Sequence, residues 1–283
     1  MDTNQKLVSA IIAAKDEAKH IGGLVTMISE NLGSYPCEVI VVDDGSRDKT
    51  SEVALKNGAV VITHERNLGK GAAMKTAVRN ASGEIFVFLD GDGAHEPQDI
   101  PKVIAPILEG KADLVIGSRA LSQSRVNSRP LTRKLANTVA SLIISATISF
   151  LLPLATRINR IGQLLKLTRG NRATQPTKLK YIKITDCTSG FRAITREGWQ
   201  SLALTSQGFE IETEMIYEAV KNGLVVTEVP ISCNWNKHLS KLSIVRDGLK
   251  TLKLLSRKLI RDIRRQRTQA VAEAVSKVPF RER

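Results

Sequence analysis

The chain has 283 residues, 42% hydrophobic and 25% charged, with a formal net charge of +14. That balance suits a globular α/β body with appendages and excludes wholesale disorder or a polytopic membrane protein. The charge is uneven: residues 1–118 hold 12 Lys/Arg against 17 Asp/Glu, residues 119–183 hold 13 Lys/Arg and no acid, and residues 246–283 hold 12 Lys/Arg against 4 Asp/Glu. The basic segments therefore read as attachments to a mildly acidic catalytic body. The opening MDTNQKLVSA has no basic stretch leading into a long apolar run, so a secretory signal is not expected and the protein is placed in the cytoplasm. Cys37, Cys187 and Cys233 show neither CxxC pairing nor metal spacing, which argues against a disulfide framework or a zinc site.

From the start to Ser118, apolar runs alternate with helical patterns: 7–14, 38–42, 59–63, 84–89 and 112–117. Such runs predict buried, mostly parallel strands joined by right-handed crossovers, an architecture that binds ligands at the carboxyl ends of its strands. Residues 135–156 carry no charge, and ~20 such residues can span a bilayer as a helix. Against a span, Asn137, Ser141, Ser145 and Ser149 recur every four residues on one stripe, with Leu135, Val139, Leu142, Ile143, Ala146 and Phe150 on another face. A helix lying on protein or at the membrane interface is favoured. Residues 157–183 suggest a basic turn of helix and a mobile loop. TSGFRAIT (188–195) reads as strand or turn, 208–223 as a helix closed by Gly223, and LVVTEVPI (224–231) as a strand. A basic amphipathic helix is expected over 244–263, with Leu249, Leu252, Leu255, Leu259 and Ile263 on one face, and the last fifteen residues are expected to be disordered. The domain reading is a catalytic body over 1–245 with an insertion at 120–183, a basic helix over 246–268 and a tail over 269–283.

The strand ends carry the chemistry. Asp90 and Asp92, separated by Gly91, form a tight turn that can hold Mg²⁺ or Mn²⁺ while substrate phosphates supply further oxygens. Asp43 and Asp44, in VVDDGSRDKT, can accept hydrogen bonds from a base or ribose; equally, Asp44-Gly45-Ser46 is a turn, and Asp48 or Ser46 can cap the next helix. The junction at 65–71 is rich in Gly and cations where a helix begins, so its amides and Lys70 favour a phosphate. It fails as GxGxxG because Met74 stands in the last Gly position, and no Walker motif is present.

Taken together, AAKDE (13–17), VVDDGSRDKT (41–50), RNLGKG (66–71), FLDGDGAHEPQDIP (88–101), GSR (117–119), DCTSGFRAITREGW (186–199) and SKL (240–242) resemble the family 2 glycosyltransferases of the GT-A fold, and among them the dolichyl-phosphate mannose and glucose synthase type. The resemblance implies that Ala13, Glu17, Asp43 and Asp44 lie along the donor nucleotide, and that Asp90, Gly91 and Asp92 form the D-x-D that binds metal and diphosphate. It also implies that Arg119, Arg192 and Lys241 face phosphates, and that Asp186 sits at the mouth of the acceptor site. Ala13 and Ala14 replace a Pro and a small polar residue, Ala94 replaces a Gln near the metal, and Trp235 and His238 replace an Arg and a Gly. The Ala94 change removes one metal ligand unless His95 or water substitutes.

The expected activity is metal-dependent, inverting transfer of a sugar from a UDP- or GDP-sugar to a polyprenyl or dolichyl monophosphate at the cytoplasmic membrane face. The alternative is a soluble family 2 enzyme with a saccharide or protein acceptor. A nucleotidyltransferase would also want paired carboxylates, but the first strand lacks a Gly-rich nucleotide loop. A nucleic-acid-binding role is disfavoured, because aromatics are few (6 Phe, 3 Tyr, 2 Trp) and no recognition motif is present.

Overall fold

The computed structural model describes residues 6–32, 34–121, 123–124, 126–127, 131–151, 183–234 and 243–276. The five apolar runs form strands β1 (Val8–Ala14), β2 (Cys37–Asp43), β3 (Val60–Thr63), β4 (Ile85–Asp90) and β5 (Leu114–Ser118). Helices α1 (Ala18–Asn31), α2 (Thr50–Lys56), α3 (Lys70–Asn80) and α4 (Ile100–Leu108) connect them. With β7 (Arg192–Thr195) and β8 (Val226–Pro230), the strands make one sheet in the order β3-β2-β1-β4-β7-β5-β8, parallel except for β7. Two short strands, β6 (Val126–Asn127) and β9 (Cys233–Asn234), pair separately.

Both faces of the sheet are covered, which is why the strands read as continuous apolar runs. Ala10 and Ile12 of β1 face a layer with Ile21, Leu24, Val25 and Ile28 of α1 and Val103, Ile104 and Ile107 of α4. Ile11 points the other way, toward Ala73, Met74 and Ala77 of α3 and toward Ile211, Met215 and Ala219 of α7 (Ile211–Lys221). The buried α1 positions fall at helical spacing, so this stripe alone fixes the helix on the sheet.

The strand order positions the site. The chain runs outward from β1 to β2 and β3, then crosses back to place β4 on the other side of β1. The carboxyl ends of β1 and β4 thus flank the switch point of the sheet, where open α/β folds bind ligands. In register, Ala14 pairs with Asp43 and Ala13 with Asp90. At a strand spacing of about 4.8 Å, this sets the backbones of Asp43 and Asp90 roughly 10 Å apart. Because β7 is antiparallel, Arg192 pairs with Phe88 and Ile116, and the segment before it emerges at the same rim as Asp90 and Ser118.

Two helices differ from expectation. Helix α5 (Leu131–Ala146) continues into one π-helical stretch, Thr147–Leu151; the remainder of the uncharged run, 152–156, and the basic loop to 182 lie outside the described residues. No helix among the described residues is long and apolar enough to cross a membrane. Asn137, Ser141 and Ser145 are the buried side of α5, while Leu131, Leu135, Val139 and Leu142 are exposed, Leu135 at 66%. After α6 (Arg196–Ser201) and α7 comes α8, which extends over Ile244–Ser276, past the expected end at 268. Its end, AVAEAV at 270–275, holds three alanines, the best helix formers, and the helix runs through Ser276 where disorder was expected from 269. The expected apolar face of α8 is also split: Leu255 is buried, but Leu249 and Leu252 are exposed, and Asp247, Lys258 and Asp262 lie inside with it. Lys258 reaches Glu214 at 2.8 Å and Glu218 at 2.5 Å, and Asp262 accepts from Tyr217 and Lys221. Helix α8 is therefore fastened to the catalytic body by buried charge.

Candidate active site

The first rim element is the β2 turn. Asp43 accepts from the Ser46 amide at 2.8 Å and from the Ser51 hydroxyl at 2.5 Å. Asp44, almost fully buried, accepts from the Leu68 and Gly69 amides and from His64 Nδ1. Both carboxylates are thus engaged by their own chain, and Asp44 shapes the loop that leads into Lys70. Asp48 accepts from the Thr50 amide that opens α2, although Lys49 and not Asp48 occupies the cap position, and Ser46 accepts from the Asp16 amide. Ala13 lies within β1, and the Glu17 amide donates to Thr50 Oγ1 at 2.9 Å, which ties the β1 end to α2. Gly69, at φ 96°, approaches the Gln207 carbonyl so closely that no side chain fits there.

Lys70, the first residue of α3, turns inward. Its ammonium contacts Asp90 Oδ1 and Glu212 Oε1, the latter at 2.5 Å. Burial opposes the charge on Lys70, but the two carboxylates outweigh burial and hold its pKa above the usual lysine range. Burial likewise opposes the Asp90 charge, yet Lys70 and then His95 push the Asp90 pKa down to about 2. Glu212 is raised, because burial and the nearby Asp90 charge exceed what Lys70 and Arg192 return. The ammonium is thus shared between Asp90 and Glu212. Asp92, half-buried, accepts from the Ala94 amide at 3.0 Å. Gly190 sits directly against Asp90, where a Cβ would collide with both carboxylate oxygens.

The fit to a hard cation rests on these atoms. His95 is buried against Phe191 with neither ring nitrogen hydrogen-bonded, and its Nδ1 lies 3.8 Å from Asp90 Oδ2. An orphaned ring beside the Asp90 carboxylate suits a bound cation. Among the described residues no three His, Cys, Asp or Glu side chains converge, so Asp90 and Asp92 would hold Mg²⁺ or Mn²⁺ with phosphate oxygens and water completing the shell.

On the far side of Gly190 stands a second charged pair. Arg119 grips Asp186 in a fork: Nε donates to Oδ2 at 2.7 Å and Nη2 to Oδ1 at 2.8 Å, with the Arg119 amide adding a third bond. Asp186 is completely buried, its carboxylate orients Arg119 and accepts from the Thr188 hydroxyl, and its backbone carbonyl accepts from the Ser189 amide, so it also closes the turn before Ser189. The segment itself is held by Glu228, which accepts from the Thr185 and Asp186 amides, and by α5, whose Asn137 donates to the Thr185 carbonyl and whose Ser141 accepts from the Cys187 amide.

Arg192 departs from expectation. It is fully buried, and Nε, Nη1 and Nη2 donate to the backbone carbonyls of Ser189, Glu212 and Cys187. Its sequence neighbours made it read as phosphate-facing, but it sits at the start of β7, donates to backbone carbonyls of the Asp186 segment and of α7, and ties the two together. Lys241, Trp235 and His238 lie outside the described residues. Sequence reasoning missed Glu212, His64 and Glu228. Glu212 was hidden among three glutamates at alternate positions, and only the packing of α7 against α3 selects it.

Residues 9–200 match the family described as glycosyl transferase family 2. Over 255 residues the chain is 29% identical to a UDP-N-acetylglucosamine–dolichyl-phosphate N-acetylglucosaminyltransferase of Methanococcus voltae, covering 82% of this chain and 88% of that protein. It is 30% identical over 229 residues to a dolichol-phosphate mannosyltransferase of Pyrococcus furiosus, covering 80% of this chain and 56% of that longer protein. Among solved structures, glucosyl-3-phosphoglycerate synthase from Mycobacterium tuberculosis, in complex with Mn²⁺, UDP and glucosyl-3-phosphoglycerate, superposes with a TM-score of 0.57 at 21% identity, covering 92% of this chain and 80% of that one. The sheet order, the D-x-D at the switch point and these matches agree: the fold is GT-A, and the chain belongs to glycosyl transferase family 2.

Proposed function

We propose that this glycosyltransferase moves a sugar from a UDP- or GDP-sugar to a polyprenyl or dolichyl monophosphate, with inversion, at the cytoplasmic face of a membrane. The observation that carries the reading is the meeting, across Gly190, of Asp90 with the segment that holds the Arg119–Asp186 pair. A cation site for a leaving diphosphate thus lies beside an oriented arginine for an attacking phosphate. The Methanococcus relative, named for a dolichyl-phosphate acceptor and matched over most of its length, supports the acceptor class. The Mn²⁺ and UDP held by the mycobacterial neighbour support the donor class and the metal.

Asp90 and Asp92 would hold the divalent ion, which supplies positive charge to the departing nucleoside diphosphate. Asp44 orders the Leu68–Gly69 turn so that Lys70 enters the site from a fixed backbone. Asp186 holds the Arg119 guanidinium in a single orientation toward the rim. A phosphate monoester with a second pKa of about 6 is already a dianion near neutral pH, so positioning replaces a strong general base. In-line attack by that oxygen inverts the anomeric carbon.

Membrane contact is part of the proposal. The outward face of α5 is apolar, and the segment 119–183 holds 13 Lys/Arg and no acid. At about 1 kcal/mol per basic residue close to an anionic surface, a fraction of these is enough for peripheral binding. The test is to incubate the protein and Mg²⁺ or Mn²⁺ with labelled nucleotide sugars and polyprenyl phosphate on anionic vesicles. Label is expected in the lipid phase, and Asp92→Asn should abolish transfer while the protein stays folded. An undiminished rate in that variant would contradict the metal assignment, and failure to co-sediment with anionic vesicles would remove the membrane step.

A further inference from the structure

Lys70, Asp90 and Glu212 form a compact charged cluster in which one ammonium is divided between two carboxylates. The backbones around it are fixed. The Ala72 amide and Lys75 ammonium of α3 bond to the carbonyls of Gln207 and Ser206, and Arg192 holds the Glu212 carbonyl. The Phe209 ring lies 5.7 Å from the ammonium and walls its apolar side. The Lys70 ammonium already touches both of its berths, so a shift from one carboxylate to the other needs only a small motion of the lysine side chain. Asp90 is also one of the two carboxylates assigned above to the divalent ion.

We infer that Glu212 is a positioning residue that receives the Lys70 ammonium when a divalent ion takes Asp90. The inference rests on the cation site of the proposed function. With the ammonium on Glu212, lysine and glutamate make a neutral buried pair and Asp90 is left as a carboxylate for the metal. Without that second berth the ammonium stays on Asp90 and competes with the ion. The chain thus exchanges one cation for another at Asp90 without leaving a buried carboxylate or ammonium unpaired, the arrangement that costs most in a low-dielectric site.

A double-mutant cycle read by Mn²⁺ binding alone, without nucleotide, tests this. Free Mn²⁺ is followed by electron paramagnetic resonance in the wild type, Glu212→Gln, Lys70→Met and the double variant, with thermal melts to confirm folding. Glu212→Gln is expected to weaken Mn²⁺ binding about tenfold in the wild-type background, a coupling typical of contacting charged residues. In the Lys70→Met background, where no ammonium needs a berth, the same substitution should change affinity by less than about twofold. If Glu212 acts only through its charge at a distance, it weakens binding equally in both backgrounds; that result overturns the inference and leaves the proposed function standing. If the wild type shows no Mn²⁺ binding that Asp92→Asn removes, the cation site and the inference fall together.

Discussion

Replacing Lys258 by Met tests how α8 is held. Lys258 is 2% exposed, and its ammonium meets Glu214 at 2.8 Å, Glu218 at 2.5 Å and the Ala203 carbonyl at 2.8 Å. Methionine retains most of the stem volume, so the substitution removes charge more than packing. It leaves two buried carboxylates without their shared counter-ion, a loss expected to cost about 3 kcal/mol. At roughly 2–4 °C per kcal/mol for a protein of this size, the melting temperature should fall by about 6–12 °C at pH 7. The pH dependence has a definite sign. Burial opposes the Glu214 charge, but the Lys258 hydrogen bond, with donors at Ser206 and Thr205, outweighs it and holds the pKa below the usual glutamate range. Such a carboxylate stabilises the fold above its unfolded pKa of about 4.3, and that stability is lost as pH falls through the lower folded value. Removing Lys258 removes the strongest of the lowering interactions, so the gap between wild type and variant should be widest above pH 5 and narrow below about pH 4. Adding Glu218→Gln should restore part of the loss. Calorimetric melts from pH 3.5 to 8 measure all of this; a loss below about 1 kcal/mol at pH 7 would refute the view that buried charge fastens α8.

Gly190→Ala should fold yet weaken Mn²⁺ binding at least about tenfold, because the added Cβ collides with the Asp90 carboxylate; calorimetric titration checks it, and unchanged affinity would mean that Asp90 is not a ligand. Arg192→Leu removes a charged donor from each of three backbone carbonyls and should cost about 3 kcal/mol in urea unfolding. In that variant the folded fraction should keep its KM for the lipid phosphate, whereas a phosphate-facing arginine would raise it. Mass spectrometry after native iodoacetamide treatment at pH 8 should find one adduct, on half-buried Cys37, while buried Cys233 and Cys187, whose thiol pKa burial pushes up to about 11, react only after denaturation.

The parallel half of the sheet was legible because its central strands β1, β2 and β4 are largely buried on both faces and carry that fact as apolar runs, while the edge strand β3 is partly exposed. Each strand's carboxyl end then identified the rim, and Asp90, Asp92, Arg119 and Asp186 fall there. The antiparallel insertion of β7 was not legible: TSGFRAIT reads the same whichever way it runs, and its direction alone brings Gly190 against Asp90. The role of Arg192 was misread for the same reason, since sequence proximity to a motif does not say whether a guanidinium points at the rim or at its own backbone. Glu212 was invisible because its partners lie far away in sequence, in α3 and β4, and come together only through the packing of α7.

Helix α5 shows what periodicity can and cannot settle. The spacing of Asn137, Ser141 and Ser145 establishes a polar stripe, but the same spacing is compatible with that stripe facing water. In the folded chain it faces inward because the Asp186 segment that α5 covers is irregular and presents bare amides and carbonyls, which an apolar face would leave unsatisfied. Satisfying them turns Leu131, Leu135, Val139 and Leu142 outward, at an energetic cost in water that a lipid surface would remove. The backbone needs of the Asp186 segment and the exposure of an apolar face are thus one constraint. Changing Ser141 to Leu should therefore disturb the Arg119–Asp186 pair, while changing Leu135 to Ser should weaken vesicle binding alone.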